Sequence, residues 1–212
     1  MPHLIRLNPT DPDEKILRAA SEILKAGGIL AYPTETFYGL GVDALNESAV
    51  EKIFAIKGRD YAKPLPLIIG NHQALEPLIA DVPEAAFRLM ERFWPGALTL
   101  VFDASPLISP KLTGGTGKIG VRLSGNPIAS GLSLLLGHPV TATSANLSGK
   151  KECVSAEEAL MSLGEKMDAV IDGGRTPGGP GSTILDVSTD PPAVIRVGAV
   201  ALTLIRQALE QS

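Results

Sequence analysis

The sequence predicts an α/β (α+β) protein built on a mixed sheet flanked by helices. Apolar runs of strand length alternate with stretches of helical period along the 212 residues. Near the C-terminal end several strands follow one another with no helix between them, which parallel pairing alone does not permit. At 44% hydrophobic and 20% charged residues, 212 positions suit one soluble globular domain, residues 1–212, without repeats or a linker-like boundary.

The elements follow in order. Residues 13–26, DEKILRAASEILKA, put Ile16, Leu17, Ala20, Ile23 and Leu24 on one helical face, with Gly27 as a stop. GILAYP (28–33) is a short strand ended by proline, and TETFYGLGVDALNE reads as a polar loop. Ser48 and Glu51 have the spacing of a capping box for a helix through Ile53, Phe54 and Ile56, which leaves Lys57 and Arg59 at its C-terminal end. LPLII is a strand, PEAAFRLMERF a helix, and ALTLVF and KIGVRL are strands. Asn126 before Pro127 caps the helix IASGLSLLL. PVTATSAN is a strand running into a polar turn, and Ser155 with Glu158 repeats the capping box. DAVID, STILDV and AVIRV supply three more strands before a last helix at about 200–210.

Composition excludes several classes of function. No apolar run approaches the roughly 20 residues of a membrane span, and the N-terminus lacks a signal-peptide core, so a cytoplasmic location is expected. One cysteine, Cys153, forbids an internal disulfide, and His3, His72 and His138 lack metal-ligand spacing, so no metal site is expected. With a net charge of -4, an anion site has to be a local concentration of cations. AIKGRDYAKPLPLII is the densest one: Lys57, Arg59 and Lys63 stand against a buried strand. They could complement a helix dipole, or they could converge on an anion that screens their repulsion. Gly39 to Ala44 imitates a dinucleotide fingerprint, but Leu45, Asn46 and Glu47 separate it from the next helix. GGTGKI (114–119) lacks the spacing of a phosphate loop and reads as a flexible surface loop.

Ser144 and Asn146 in TATSANLSG either cap a strand end or face a ligand crevice. DGGRTPGGPGST (172–183) has five glycines and two prolines, whose bared amides can approach phosphates, and Arg196 adds a cation. No nucleophile motif and no general acid–base pair stands out. An enzyme made from these parts would act by positioning and charge stabilisation, a profile that suits nucleotidyl transfer.

The chain resembles the YrdC/Sua5 family of threonylcarbamoyl-AMP synthases. The matching segments, in family order, are YPTETFYGLG (32–41), the Lys-x-Arg of KGRDYAKPL, WPGALTL (94–100), GVRL (120–123), TSANLSG (143–149), GSTILD (181–186) and IRVG (195–198). The length resembles the single-domain form, without the C-terminal domain of Sua5 proteins. The resemblance implies a twisted mixed sheet around a concave basic groove. It further implies synthesis of threonylcarbamoyl-adenylate and pyrophosphate from L-threonine, bicarbonate or carbon dioxide, and ATP with Mg²⁺. Partner proteins would then pass the threonylcarbamoyl group to tRNA, and the resemblance is compatible with weak binding of tRNA or double-stranded RNA. By the same resemblance Lys57 and Arg59 act catalytically and, with Lys63, Asn146 and Arg196, hold ATP, while Thr34, Arg122, Ser144 and Ser182 hold threonine. Asp60 departs from the family's frequent proline, and Ser124-Gly125-Asn126-Pro127 departs from its Pro-x-His-Pro. Two other readings are a YciO-like paralogue and a non-catalytic module binding double-stranded or transfer RNA. The low aromatic content, 4%, disfavours the second.

Overall fold

The computed structural model describes residues 2–210. Its strands are β1 (His3–Arg6), β2 (Leu30–Pro33), β3 (Tyr38–Gly41), β4 (Leu67–Ile69), β5 (Leu98–Asp103), β6 (Lys118–Leu123), β7 (Val140–Thr141), β8 (Thr143–Ser144), β9 (Ala169–Asp172), β10 (Thr183–Asp186) and β11 (Ala193–Arg196). The α-helices are α1 (Glu14–Lys25), α2 (Glu47–Lys57), α3 (Glu84–Phe93), α4 (Pro110–Thr113), α5 (Pro127–Leu136), α6 (Ala156–Leu163) and α7 (Leu202–Glu210).

The expected mixed sheet is two mixed sheets. One has the order β1-β9-β2-β3-β8, the other β11-β10-β5-β6-β4-β7. Parallel pairs (β1/β9, β2/β9, β10/β5, β4/β6) sit beside antiparallel ones in both. The segment 140–144 joins them: β7 belongs to the second sheet and β8 to the first, with Ala142 between them donating its N–H to the Pro66 carbonyl at 2.8 Å. Thr141 tightens this seam, its N–H on Val42 O and its hydroxyl accepting from Val42 N, each at 3.1 Å.

The main core includes Tyr38, Phe54, Leu100 and Phe102, all at most 1% exposed, and α2, α3 and α6 each bury a face in it. A second core lies where α1 packs on α5, around Leu17, Leu24, Ile128 and Leu132. Gly131 permits that approach, because a Cβ there would lie 2.6 Å from Leu17 Cδ2. No helix among the described residues is long and apolar enough to cross a membrane.

Three local expectations are corrected. The stretch read as a polar loop contains the wholly buried strand β3, paired antiparallel to β2. Its glycines hide the apolar pattern, and at Gly41 a Cβ would lie 2.6 Å from Tyr32 Cε1 and 2.5 Å from Val140 Cγ1. Ser48 is not the cap of α2. Asn46 is, in extended conformation, accepting from Ala49 N at 3.2 Å, while the Ser48 hydroxyl donates to Asn46 and Glu51 turns to Lys111. Finally β1, for which no strand was expected, pairs parallel with β9, a contact 166 residues away in the chain (His3 with Ala169).

Candidate active site

A polar cleft of about 520 Å³ opens between the two sheets, within the size range of small-molecule sites. Each of the seven segments that carry the family resemblance contributes to its wall, whereas the stretch 114–119 does not. The β2–β3 connection supplies Thr34 and Thr36, the loop after α2 supplies Arg59, and β6 supplies Arg122. Ser144 comes from β8, Gly179 to Ser182 from the glycine-rich connection, and Arg196 from β11.

Thus six of the nine residues expected at a site line one cleft: Thr34, Arg59, Arg122, Ser144, Ser182 and Arg196. Lys57, Lys63 and Asn146 do not line it. Lys63 lies in the Arg59 loop with its side chain exposed. Lys57 and Asn146 are buried behind the wall at 4% and 3% exposure. The Lys57 ammonium donates to the backbone oxygens of Ser144 and Asn146, the latter at 2.7 Å, and to Asn146 Oδ1 at 3.3 Å. The same Oδ1 accepts the Ser144 hydroxyl at 2.5 Å. Lys57 therefore fixes the turn that carries Ser144. Burial, then repulsion from Arg59, pushes its pKa down to about 8.

Arg59 is held by its own loop, with Nη2 on Pro64 O at 2.8 Å and Nε on Lys63 O at 3.4 Å. Arg196 grips Ser182: Nε and Nη2 reach its carbonyl at 3.0 and 2.8 Å, and Nη2 its hydroxyl at 3.0 Å. That hydroxyl also meets Thr99 Oγ1 at 3.0 Å. Burial lowers the pKa of Arg59 and, joined by repulsion from Arg122, that of Arg196. Guanidinium groups nonetheless stay charged at neutral pH. Thr34 Oγ1 donates to Phe37 O at 2.7 Å and accepts from Thr36 N at 3.1 Å, so the mouth of the β2–β3 turn is set by its own hydroxyl. Tyr38, a floor residue, donates its hydroxyl to Gly174 O at 2.7 Å, and burial pushes its pKa up to about 12.

Sequence reasoning missed two carboxylates. Glu35, inside the quoted PTET segment, stands with Oε1 2.9 Å from Arg122 Nη1, without the alignment of a hydrogen bond, and accepts the Ser124 hydroxyl on Oε2. The motif contained the residue, but nothing local signals a partner 87 positions on. Glu152 lines the cleft among the arginines. Cys153 is buried, its thiol on Ala145 O at 3.1 Å and its pKa raised first by burial, so it offers no thiolate nucleophile. No cluster of three His, Cys, Asp or Glu side chains able to hold a metal occurs among the described residues.

A family model covering Sua5, YciO and YrdC proteins, described as telomere recombination, matches residues 22–198. The chain belongs to the Sua5/YciO/YrdC family. Within this family it is 41% identical over 189 residues to the threonylcarbamoyl-AMP synthase of Bacillus subtilis, covering 89% of this chain and 54% of that protein. Among solved structures, Pyrococcus abyssi Sua5 complexed with L-threonine superposes with a TM-score of 0.94 at 38% identity, over 98% of this chain and 61% of that one. Escherichia coli YciO superposes with a TM-score of 0.86 at 29% identity, over 95% and 98% of the two chains. The chain thus spans a little over half the length of the curated Sua5/YciO/YrdC relatives it matches first, 58% and 54%.

Proposed function

We propose that the chain is an L-threonylcarbamoyladenylate synthase, a nucleotidyltransferase acting ahead of tRNA threonylcarbamoyladenosine modification. The observation that carries this reading is the cleft itself: three arginines and a set of hydroxyls from distant segments converge there, and among the described residues no cysteine or histidine lines it beside them. Such a wall suits a reaction between two anionic substrates.

The amine of threonine adds carbon dioxide and loses a proton to become a carbamate. A carbamate oxygen attacks the α-phosphorus of ATP, the bond to the β-phosphate oxygen breaks, and pyrophosphate leaves with the electron pair. Arg59 and Arg196 oppose the charge on the phosphates, Arg122 receives the carboxylate of threonine, and the hydroxyls of Thr34, Ser144 and Ser182 orient the amino acid. Lys57 acts on this scheme from behind the wall, holding Ser144 and Asn146 in place. Mg²⁺ would enter with ATP on the phosphate oxygens, with Glu152 as the cleft carboxylate beside it; when bound it offsets phosphate charge. Downstream proteins that transfer the threonylcarbamoyl group complete the proposal.

The test is pyrophosphate release from ATP by the purified chain, with L-threonine and bicarbonate supplied together or singly, alongside Arg59→Ala. The reading expects release that needs both co-substrates and falls roughly 10²- to 10³-fold in the variant, as for loss of a transition-state charge donor. Release indifferent to threonine refutes it.

A further inference from the structure

We propose that Asp60 is a positioning residue for Arg59, its carboxylate folding the loop whose carbonyls aim the guanidinium into the cleft. The proposal rests on reading Arg59 as a phosphate-binding cation. Asp60 follows Arg59 directly, and a carboxylate beside a triphosphate would repel it. The geometry gives the carboxylate another role. Asp60 Oδ1 accepts from Ala62 N at 2.9 Å, and its carbonyl accepts from Lys63 N at 3.0 Å. This is an Asx turn closed by a backbone turn. It delivers the Lys63 and Pro64 carbonyls to Nε and Nη2 of Arg59. Two of the five N–H groups are thereby committed, the plane of the fork is set, and the other three remain for a ligand.

The rest of the loop is anchored to match. Gly58 ends α2 in the left-handed region at φ 57°, and Arg59 N then donates to Phe54 O at 3.1 Å. Tyr61 stacks on Phe54 with ring centroids 4.5 Å apart. On the far side the loop lies against Gly114, where a Cβ would stand 2.6 Å from Ala62 O. Gly114, the first residue of the stretch 114–119, thus packs directly against the Arg59 loop. The Asp60 side chain is not among those lining the cleft, so it acts through the turn and Arg59.

The experiment compares Asp60→Asn and Asp60→Ala with the parent chain, reading KM for ATP against kcat in pyrophosphate release. Asparagine keeps the Oδ1 acceptor without the charge; alanine removes both. Positioning expects Asn near the parent value and Ala about fivefold higher in KM for ATP, corresponding to one lost hydrogen bond of about 1 kcal/mol. KM for threonine should stay unchanged. If instead both variants lower KM for ATP, the carboxylate is merely a repulsive neighbour and the proposal is overturned. A second readout holds even if the chain proves not to release pyrophosphate: the ¹⁵N-resolved Nε–H signal of Arg59, assigned by its disappearance in Arg59→Lys. It should be present in the parent and in Asp60→Asn and lost or broadened in Asp60→Ala. An unchanged signal in Asp60→Ala overturns the proposal.

Discussion

Replacing Glu35 by glutamine keeps the side-chain shape and removes the charge that faces Arg122. In the structure the pair is 2.9 Å apart, with side chains 20% and 8% exposed, so Arg122 has little solvent to replace its partner. A largely buried charge left without its counter-ion costs about 1–3 kcal/mol. For a chain of this size 1 kcal/mol moves Tm by about 2–4 °C, so thermal unfolding of Glu35→Gln should begin roughly 2–12 °C lower. The same loss of orientation should raise KM for threonine by roughly fivefold to a hundredfold and leave KM for ATP within about twofold. Thermal scans and pyrophosphate release at varied threonine measure both. An unchanged Tm with a lower KM for threonine would refute the reasoning: Glu35 would then be a competitor for Arg122 rather than its support.

Two further expectations concern the frame. Because burial lowers the Lys57 pKa to about 8, from an ordinary 10.5, the unfolded chain binds more protons than the folded one between those values. The stability contributed by this residue therefore rises from about pH 8 to 10.5 and is lost as pH falls through 8, so the difference between the parent and Lys57→Met in urea unfolding should grow in the parent's favour over that window; a flat difference counts against a buried Lys57. At the seam of the sheets, Gly41→Ala forces a methyl group to within 2.6 Å of Tyr32 and should cost about 1–3 kcal/mol in the same assay, whereas a loss under about 0.5 kcal/mol would show that the seam yields easily.

The sequence was most informative where one local pattern decides one local structure. The period of Leu17, Ala20 and Leu24 marks α1, and Asn126 before Pro127 marks the start of α5, where Asn126 Oδ1 accepts from Ile128 N at 3.0 Å. It failed where neighbours in space make the choice. Strand β3 has glycines in place of an apolar alternation because Tyr32 and Val140 fill the space beside them. The cap of α2 moved from Ser48 to Asn46 because two side chains of nearly equal capping tendency compete within one turn.

By itself the sequence determined the interleaved α/β composition, the family and the set of cationic and hydroxyl residues available for a site, since these depend on residue types and their order along the chain. Only the tertiary structure decided what each cation faces. Lys57 and Arg59 are two positions apart on paper, yet one is buried behind the wall on the Ser144–Asn146 carbonyls and the other lines the cleft. Helix α2 ends between them at the left-handed Gly58, which turns the chain so that consecutive cations leave in different directions. The pairing of Arg122 with Glu35 needs segments 87 positions apart brought side by side, and the grip of Arg196 on Ser182 needs β11 folded back along β10. Charge partners of that kind are a property of the sheet order, which no local spacing encodes.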